Sequence, residues 1–278
     1  MADQQSIIAL NIGSQRISMG VLAPTKKGLI LKKYAATSIL ADPATEAARI
    51  PQVKLAIKEL AKGLKVDKQK AAYALSGQSV FVRFVKLPPI EEDMDDLVRF
   101  EAQQNVPFPI DEVVWDWEKL ETDGIEQEVV LVAIKADSLN DLNSVVADTG
   151  LGTRLVDSAP TALYNSFRYN YPGLEECVLL LDIGAKTSNL IYADGKKFFT
   201  RSVSIGGANI TSAIAKEYNV SFVEAENSKL SSGLVTLGGS HADQLDDATA
   251  ALGTVVRNAL ARRTAEIQRT NTLFRSQQ

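Results

Sequence analysis

The stretch Val178-Leu-Leu-Leu-Asp-Ile-Gly-Ala-Lys-Thr-Ser-Asn-Leu-Ile-Tyr192 decides the fold. Apolar residues run into Asp182 and Gly184, and small residues then precede a second apolar run, a pattern typical of two strands and a tight turn. Further along, Ser204-Ile-Gly-Gly-Ala-Asn-Ile-Thr211 places a glycine pair before a predicted helix. Glycines let the backbone approach a ligand, and N–H groups at a helix start attract anions. The pattern indicates half of a phosphate site, with an ordinary hairpin and helix cap as the alternative.

The beginning of the chain repeats this layout. Ala9-Leu-Asn-Ile-Gly-Ser-Gln-Arg-Ile-Ser-Met-Gly20 matches Leu180-Leu-Asp-Ile-Gly-Ala-Lys-Thr-Ser-Asn-Leu-Ile191 as strand, acid or amide, Ile-Gly, small residues and strand. Paired turns of this kind predict a duplicated fold with a ligand between its halves. The pairing favours the phosphate interpretation over the ordinary hairpin.

Composition excludes several classes of function. A length of 278 residues suggests about two domains, and a net charge of −4 does not indicate nucleic acid as a partner. The single cysteine, Cys177, excludes an internal disulfide and fits a reducing compartment. The one histidine, His241, is predicted in a polar loop, which argues against histidine-ligated zinc and Ser-His-Asp chemistry. The start of the chain is too polar for a signal peptide, and no apolar run reaches the ~18 residues of a membrane span.

Periodicity and turn residues predict the remaining organisation. Residues 1–71 and 151–173 form a first subdomain, residues 72–150 an inserted α+β unit, and residues 174–278 a second half. The predicted strands are Ile7–Ile12, Ile17–Leu22, Leu29–Ala36, Ala72–Leu75, Val80–Val85, Val113–Leu120, Glu128–Ile134 and Thr153–Ser158. Pro24 to Gly28 is predicted as a turn, and Ala72–Leu75 with Val80–Val85 as a hairpin. The predicted helices are Val53–Leu64, Glu91–Asn105, Ser138–Thr149, Pro160–Tyr169, Asn209–Tyr218, Ser221–Ser231 and Asp246–Phe274.

These motifs resemble a known fold and family. The paired turns, Gly206-Gly-x-x-x-Thr211 and Ala225-Glu-Asn-Ser-Lys229 are similar to the actin, Hsp70 and sugar-kinase ATP-binding fold, an α/β, ribonuclease H-like fold whose two halves close over ATP. The inserted Leu87-Pro-Pro-Ile90 and Phe100-Glu-Ala-Gln-Gln-Asn-Val-Pro-Phe-Pro109 resemble the PilM family of type IV pilus assembly. The division protein FtsA has an insertion at a similar position, but the Pro-Phe-Pro run points to PilM.

The resemblance implies ATP and magnesium as cofactors and assigns their ligands. Asp182 would hold the magnesium hydration shell, with Asn11 as a weaker contributor through water. Glu226 and Lys229 match the pair that brackets the adenosine. The phosphate-binding residues would be Gly13 and Ser14 in the first turn, Gly184, Ala185, Lys186 and Thr187 in the second, and Gly206, Gly207 and Asn209 beneath them.

The sequence departs from the family pattern at several points. Asn11 stands where actin-like ATPases place aspartate, and an amide adds no Coulomb attraction to a metal ion. Asp157-Ser-Ala-Pro160 has no residue of the kind that orients the attacking water in relatives. The chain ends at Gln278 after its long helix, so the C-terminal part of the fold, with a Gly-rich adenine-binding turn, is expected to be missing. Leu237-Gly-Gly-Ser240 resembles that turn but lies in the wrong order and is interpreted as a loop.

The resemblance therefore implies an ATP-binding adaptor, at most a weak ATPase, of the type IV pilus or a related type II secretion platform. It would lie on the cytoplasmic face of a bacterial inner membrane, reach the membrane through partners, and contact other platform proteins. The cleft between the opening domain and the inserted unit would hold the N-terminal peptide of a PilN-like membrane protein. Homo-oligomerisation is left open. The alternatives are an active ATPase or phosphotransferase of the same superfold, and an FtsA-like scaffold.

Overall fold

The computed structural model describes residues 6–39, 42, 45–89, 94–122, 124–174, 176–195, 197–235 and 246–276. The strands are β1 (Ile7–Ile12), β2 (Arg16–Thr25), β3 (Gly28–Ser38), β4 (Lys70–Leu75), β5 (Val80–Leu87), β6 (Val113–Thr122), β7 (Gln127–Lys135), β8 (Gly152–Ser158), β9 (Val178–Ile183), β10 (Ser188–Asp194) and β11 (Lys197–Val203). The α-helices are α1 (Glu46–Leu64), α2 (Met94–Asn105), α3 (Ala136–Ala147), α4 (Ala159–Asn170), α5 (Gly207–Tyr218), α6 (Phe222–Ser232) and α7 (Asp247–Arg275). Short 3-10 turns lie at Gly77–Ser79 and Ile110–Glu112.

The first half contains a five-stranded sheet in the order β3-β2-β1-β4-β8. Strand β1 is antiparallel to β2 and parallel to β4, and β4 is parallel to β8. Side chains alternate between the two faces of a strand, so Ile8 and Leu10 of β1 enter the core while Ala9 and Asn11 face away from it. Helices α1 and α3 cover the core face, with Ile57 and Val146 fully buried. The opposite face of the sheet carries Asn11.

The predicted hairpin of Ala72–Leu75 with Val80–Val85 is wrong. Strand β4 pairs with β1 and β8, whereas β5 belongs to a separate three-stranded sheet in the order β5-β7-β6. A helix follows the β1–β3 meander, and a connection of that length brings β4 back parallel to β1. Since Val146 of α3 also lies in the first core, we propose residues 76–135 as the inserted unit, in place of the predicted 72–150.

A smaller difference concerns the turn predicted at Pro24 to Gly28. Strand β2 continues through Pro24 and Thr25, and the turn consists of Lys26 and Lys27. The pairing of β2 with β1 ends at Leu22, so Pro24 needs no N–H group on that side of the strand. Proline therefore marks the end of one ladder rather than the end of the strand.

The inserted unit is a sheet with one helix on it. Helix α2 packs on one face of this sheet through Met94, Val98 and Ala102, all buried. The other face of the sheet turns towards α4 and the second half, where Phe84 contacts the ring of Phe198 edge-on. The insertion is therefore held from both sides of its sheet.

The second half contains the sheet β11-β10-β9 and helices α5, α6 and α7. Helix α7 lies against β10 and β11, where Phe274 stacks on Tyr192 with 4.3 Å between ring centroids. Helix α4 joins the halves, since Tyr164 stacks on Phe198 at 4.5 Å. His241 and the predicted loop Leu237–Ser240 lie outside the described residues. Over the part of the chain that is described, no helix has the length and apolar character needed to cross a membrane.

Candidate functional site

The two Asx-Ile-Gly segments form turns of the same geometry. The last paired residues are Ile12 with Ile17 in the first hairpin and Ile183 with Ser188 in the second. Gly13 N donates to Arg16 O at 3.0 Å, and Gly184 N donates to Thr187 O at 2.9 Å. A Cβ at Gly13 would lie 2.6 Å from Arg16 O, and one at Gly184 would lie 3.0 Å from Thr187 O. The close return of the backbone explains the glycine in each turn.

Each turn leaves backbone donors free. Ser14 N and Gln15 N in the first turn, and Ala185 N and Lys186 N in the second, donate to no acceptor among the described residues. Successive unpaired N–H groups in a turn form a concavity that attracts anions. The exposed Lys186 adds a positive charge beside the second pair. The residues of both turns therefore fit phosphate oxygens.

Asp182 is held by the strand opposite. Its Oδ2 accepts a hydrogen bond from Asn189 Nδ2 at 2.9 Å, and Asn189 Oδ1 accepts one from Ser202 Oγ at 2.6 Å. Asn189 is only 3% exposed. The sequence interpretation missed Asn189 and Ser202, although the equal turn lengths place Asn189 opposite Asp182, as Ser18 lies opposite Asn11. The carboxylate of Asp182 is therefore oriented before any ligand arrives.

The start of α5 supports the second turn from below. Gly207 N donates to Gly184 O at 2.9 Å, and Ala208 N donates to Ala185 O at 2.8 Å. Asn209 Oδ1 accepts from Gly206 N at 2.7 Å and caps the helix. The N–H groups expected to attract an anion are thus already bonded to the turn. Gly206, Gly207 and Asn209 hold the second turn in place, and direct phosphate contacts from them stay a prediction.

Glu226 and Lys229 form a partly buried cluster with Thr211. Lys229 Nζ lies 2.7 Å from Glu226 Oε2, and each side chain is 15% exposed. Lys229 Nζ also donates to Thr211 Oγ1 at 2.9 Å, and Thr211 Oγ1 donates to Glu226. Thr211 is fully buried. The pair predicted for adenosine is thus assembled on α6 one turn apart, and it is anchored to α5 through Thr211.

Asn11 lies in a different environment. It lines a cavity of about 500 Å³ with Ser18 and Asp157, and no hydrogen bond joins its turn to the second turn among the described residues. Burial raises the pKa of the Asp157 carboxyl above its usual value, and the hydrogen bond from Ser158 N at 2.7 Å acts in the opposite direction. Asp157 is not among the residues that the sequence predicts for the site. It brings a carboxylate to the cavity that Asn11 lines.

The predicted magnesium ligands fit a hydrated ion. Asp182 and Asn11 offer one carboxylate and one amide oxygen, and within the described residues no cluster of three or more metal-ligating side chains occurs. Magnesium keeps several waters and uses one or two carboxylates together with substrate phosphates. The donor set therefore suits an ion that arrives with a nucleotide.

A groove separates the first sheet from the inserted unit. It has a volume of about 270 Å³ and lies between β8, the start of α4 and the strands β6 and β7. Its lining is mainly apolar, with Leu75, Val114 and Ile134 among the side chains. Three carboxylates, Asp116, Glu118 and Asp157, also line it, and no lysine, arginine or histidine does so in the part of the chain that the structure describes.

Comparison with known proteins places this geometry in a family. The family model for "Type IV pilus assembly protein PilM" matches residues 9–238. A solved "PilM-PilN type IV pilus biogenesis complex" is similar over 99% of this chain and 79% of that chain, with 25% identity and a TM-score of 0.79. The ethanolamine utilization protein EutJ from Carboxydothermus hydrogenoformans matches over 96% of this chain and 71% of its own, with 15% identity and a TM-score of 0.51.

These matches confirm the predicted actin-like α/β fold. The family match extends from β1 through the first turn, the inserted unit and the second turn to just beyond α6. The chain belongs to the PilM family of type IV pilus assembly proteins.

Proposed function

We propose that this protein is a nucleotide-binding adaptor that holds the cytoplasmic N-terminal peptide of a PilN-like membrane protein. The observation that carries the proposal is the groove between the first sheet and the inserted unit. The similar solved structure is a PilM–PilN complex, which supports a partner of that kind. The protein would lie on the cytoplasmic face of the inner membrane and reach that membrane through its partner.

The groove indicates the chemistry of the peptide. Its volume of about 270 Å³ lies near the small end of ligand pockets, roughly 300–1,000 Å³, so it suits a few side chains of an extended segment. The apolar lining favours aliphatic residues, and Asp116, Glu118 and Asp157 favour a lysine or arginine beside them. Cytoplasmic flanks of membrane-spanning segments are rich in lysine and arginine. A cationic, aliphatic peptide therefore fits both the groove and the proposed partner.

Calorimetric titration with a synthetic peptide tests this part of the proposal. The peptide would carry the cytoplasmic N-terminal residues of the PilN-like protein from the same organism. Val114 lines the groove and is 48% exposed, so Val114→Arg removes no buried side chain from the core. It should weaken peptide binding, because it adds bulk to the groove and repels a cationic peptide. Leu55→Arg, at a 57% exposed position on α1, is the matched control. The proposal fails if the wild-type protein does not bind the peptide.

The nucleotide part rests on the two phosphate turns. Ser14, Gln15, Ala185 and Lys186 offer backbone donors, Lys186 a charge, and Asp182 an oriented carboxylate. Magnesium, when bound with ATP, would neutralise phosphate charge, and Asp182 would bind its water shell. Asn11 adds no negative charge on the first side, so we infer that binding prevails over turnover.

A fluorescent ATP analogue titrated with magnesium tests the nucleotide site. Asp182→Ala should weaken binding about tenfold or more, since it removes the one carboxylate beside the turns that could hold the water shell of magnesium. Asp67→Ala, an exposed carboxylate outside both turns, is the control. Sustained phosphate release by the wild-type protein, lost in Asp182→Ala, would favour an active ATPase instead of an adaptor.

A further inference from the structure

The 3-10 turn Gly77–Ser79 connects the groove to the second half. It joins β4 to β5, and the residues that flank its connection, Leu75 and Val80, both line the groove. A side chain that enters the groove would therefore lie beside both ends of this short connection. Ser79 N donates to Ser76 O at 2.9 Å, which closes the segment into a turn.

The tip of this turn packs against the strands of the second hairpin. A Cβ at Gly77 would lie 2.1 Å from Ser202 Oγ, 2.7 Å from Asn189 Oδ1 and 2.8 Å from Pro160 Cγ. Only glycine allows so close an approach. Beside it, Gln78 Nε2 donates a hydrogen bond to Ser204 Oγ. The turn is thus joined to the second half by close packing and by a side-chain bond.

The side chains that Gly77 touches are those that orient Asp182. Ser202 Oγ donates to Asn189 Oδ1 at 2.6 Å, and Asn189 Nδ2 donates to Asp182 Oδ2 at 2.9 Å. A displacement of the turn would move Ser202 and Asn189, and the carboxylate would follow. Contacts therefore run without a gap from the groove to the predicted magnesium ligand.

We propose that Gly77 and Gln78 are positioning residues that couple occupancy of the groove to the nucleotide site at Asp182. The inference rests on the proposed function, because it takes a peptide in the groove and a magnesium nucleotide at the turns. A peptide that orders the shared turn lowers the entropic cost that the nucleotide must meet to order the same turn, so the coupling is positive. Coupling between sites is reciprocal, and a nucleotide tightens peptide binding by the same factor.

Calorimetry on the whole chain tests the coupling. The synthetic peptide is titrated with and without a saturating, non-hydrolysable magnesium–ATP analogue. The wild-type protein should bind the peptide about fivefold or more tightly with the analogue present. Gln78→Ala should leave the affinity for each ligand alone within about twofold of wild type, because its side chain enters neither site. The ratio of the peptide affinities with and without the analogue should fall towards one. Gln268→Ala, an exposed glutamine on α7, should keep the full ratio.

Gly77→Ala is the stronger variant because its Cβ would push the turn away from Ser202 and Asn189. It should abolish the coupling and weaken the magnesium dependence of nucleotide binding. Gly63→Ala is matched to it, since a Cβ there meets nothing within 4 Å. Thermal unfolding of both variants separates a loss of coupling from a loss of folding.

Hydrogen exchange supplies a readout that needs no nucleotide. Peptide binding to the wild-type protein should slow exchange in 182–189 and 202–204, and the Gln78→Ala variant should lose that effect while it still binds the peptide. The inference alone is overturned if the peptide binds and the analogue changes peptide affinity by the same factor in Gln78→Ala, in Gly77→Ala and in the wild-type protein. Absence of any peptide binding overturns the proposed function and the inference with it.

Discussion

The β1–β2 and β9–β10 hairpins share a turn and differ in what surrounds it. Both close with the same pairing and the same glycine hydrogen bond. In the second hairpin the residue before Ile-Gly is Asp182, whose carboxylate is oriented by Asn189, and the start of α5 is hydrogen-bonded to the turn. In the first hairpin the same position is Asn11, and among the described residues the support of the turn from outside the hairpin is the bond from Ile39 N to Gln15 O at 2.8 Å. The two turns therefore share a backbone geometry but differ in the charge beside them and in their support.

The largest effect is expected from Gly206→Ala, which disrupts the packing of α5 against the second turn. A Cβ there would lie 2.2 Å from Ala185 O and 2.6 Å from Gly184 O, both backbone atoms that cannot move without the turn. Overpacking of this kind costs about 1–3 kcal/mol and sometimes more. Urea unfolding and nucleotide titration should show losses of stability and of affinity. Gly173→Ala, where a Cβ meets nothing within 4 Å, should show neither.

The glycines of the turns themselves sharpen the comparison. A Cβ at Gly13 would lie 2.6 Å from Arg16 O, but at Gly184 the nearest atom, Thr187 O, is 3.0 Å away. Gly13→Ala should therefore lower the free energy of unfolding by about 1–3 kcal/mol, and Gly184→Ala by less than half of that. Urea midpoints of the two variants, measured side by side, check the order. The reverse order would show that the two turns are not held as the contacts indicate.

The sequence predicted the two turns and the family because both depend on short local patterns. Asx-Ile-Gly between apolar runs specifies a strand, a turn and a second strand from neighbouring residues alone. The motifs of the insertion are likewise contiguous. Such features need no knowledge of what packs on them, and the fold and the family were confirmed.

The role of α5 and the place of β4 could not be obtained in this way. A glycine pair before a helix predicts free N–H groups, but whether a turn from another hairpin already accepts from Gly207 and Ala208 is a tertiary fact. The pairing of β4 with β1 depends on a crossover through α1 rather than on the turn at Gly77. Asn189, Ser202 and Gly77 meet only when three separate segments come together.

Exchanging the acid positions tests the difference in charge directly. Asn11→Asp gives the first hairpin the carboxylate of the second, and it should tighten magnesium-dependent nucleotide binding by about fivefold to tenfold, roughly 1 kcal/mol for a partly screened charge. Asp182→Asn should weaken it by a similar factor. Titration of a fluorescent ATP analogue in magnesium and in a metal chelator checks both. An effect of Asn11→Asp that persists in the chelator would contradict a role at the ion.

The smallest effect concerns Asp157, the carboxylate in the cavity that Asn11 lines. Burial raises the pKa of Asp157 in the folded protein, so its protonated form is favoured by folding. The resulting stabilisation is fully present below the unfolded pKa of about 4 and is lost as the pH rises through the higher folded pKa. Asp157→Asn should therefore gain stability relative to wild type between pH 4 and pH 7, by about 1 kcal/mol or less. Urea unfolding across that range, with Asp67→Asn as control, measures the difference. If the free energy of unfolding changed equally with pH in the wild-type protein and in Asp157→Asn, Asp157 would be solvated. The first half would then lack a desolvated acid as well as an aspartate at its turn.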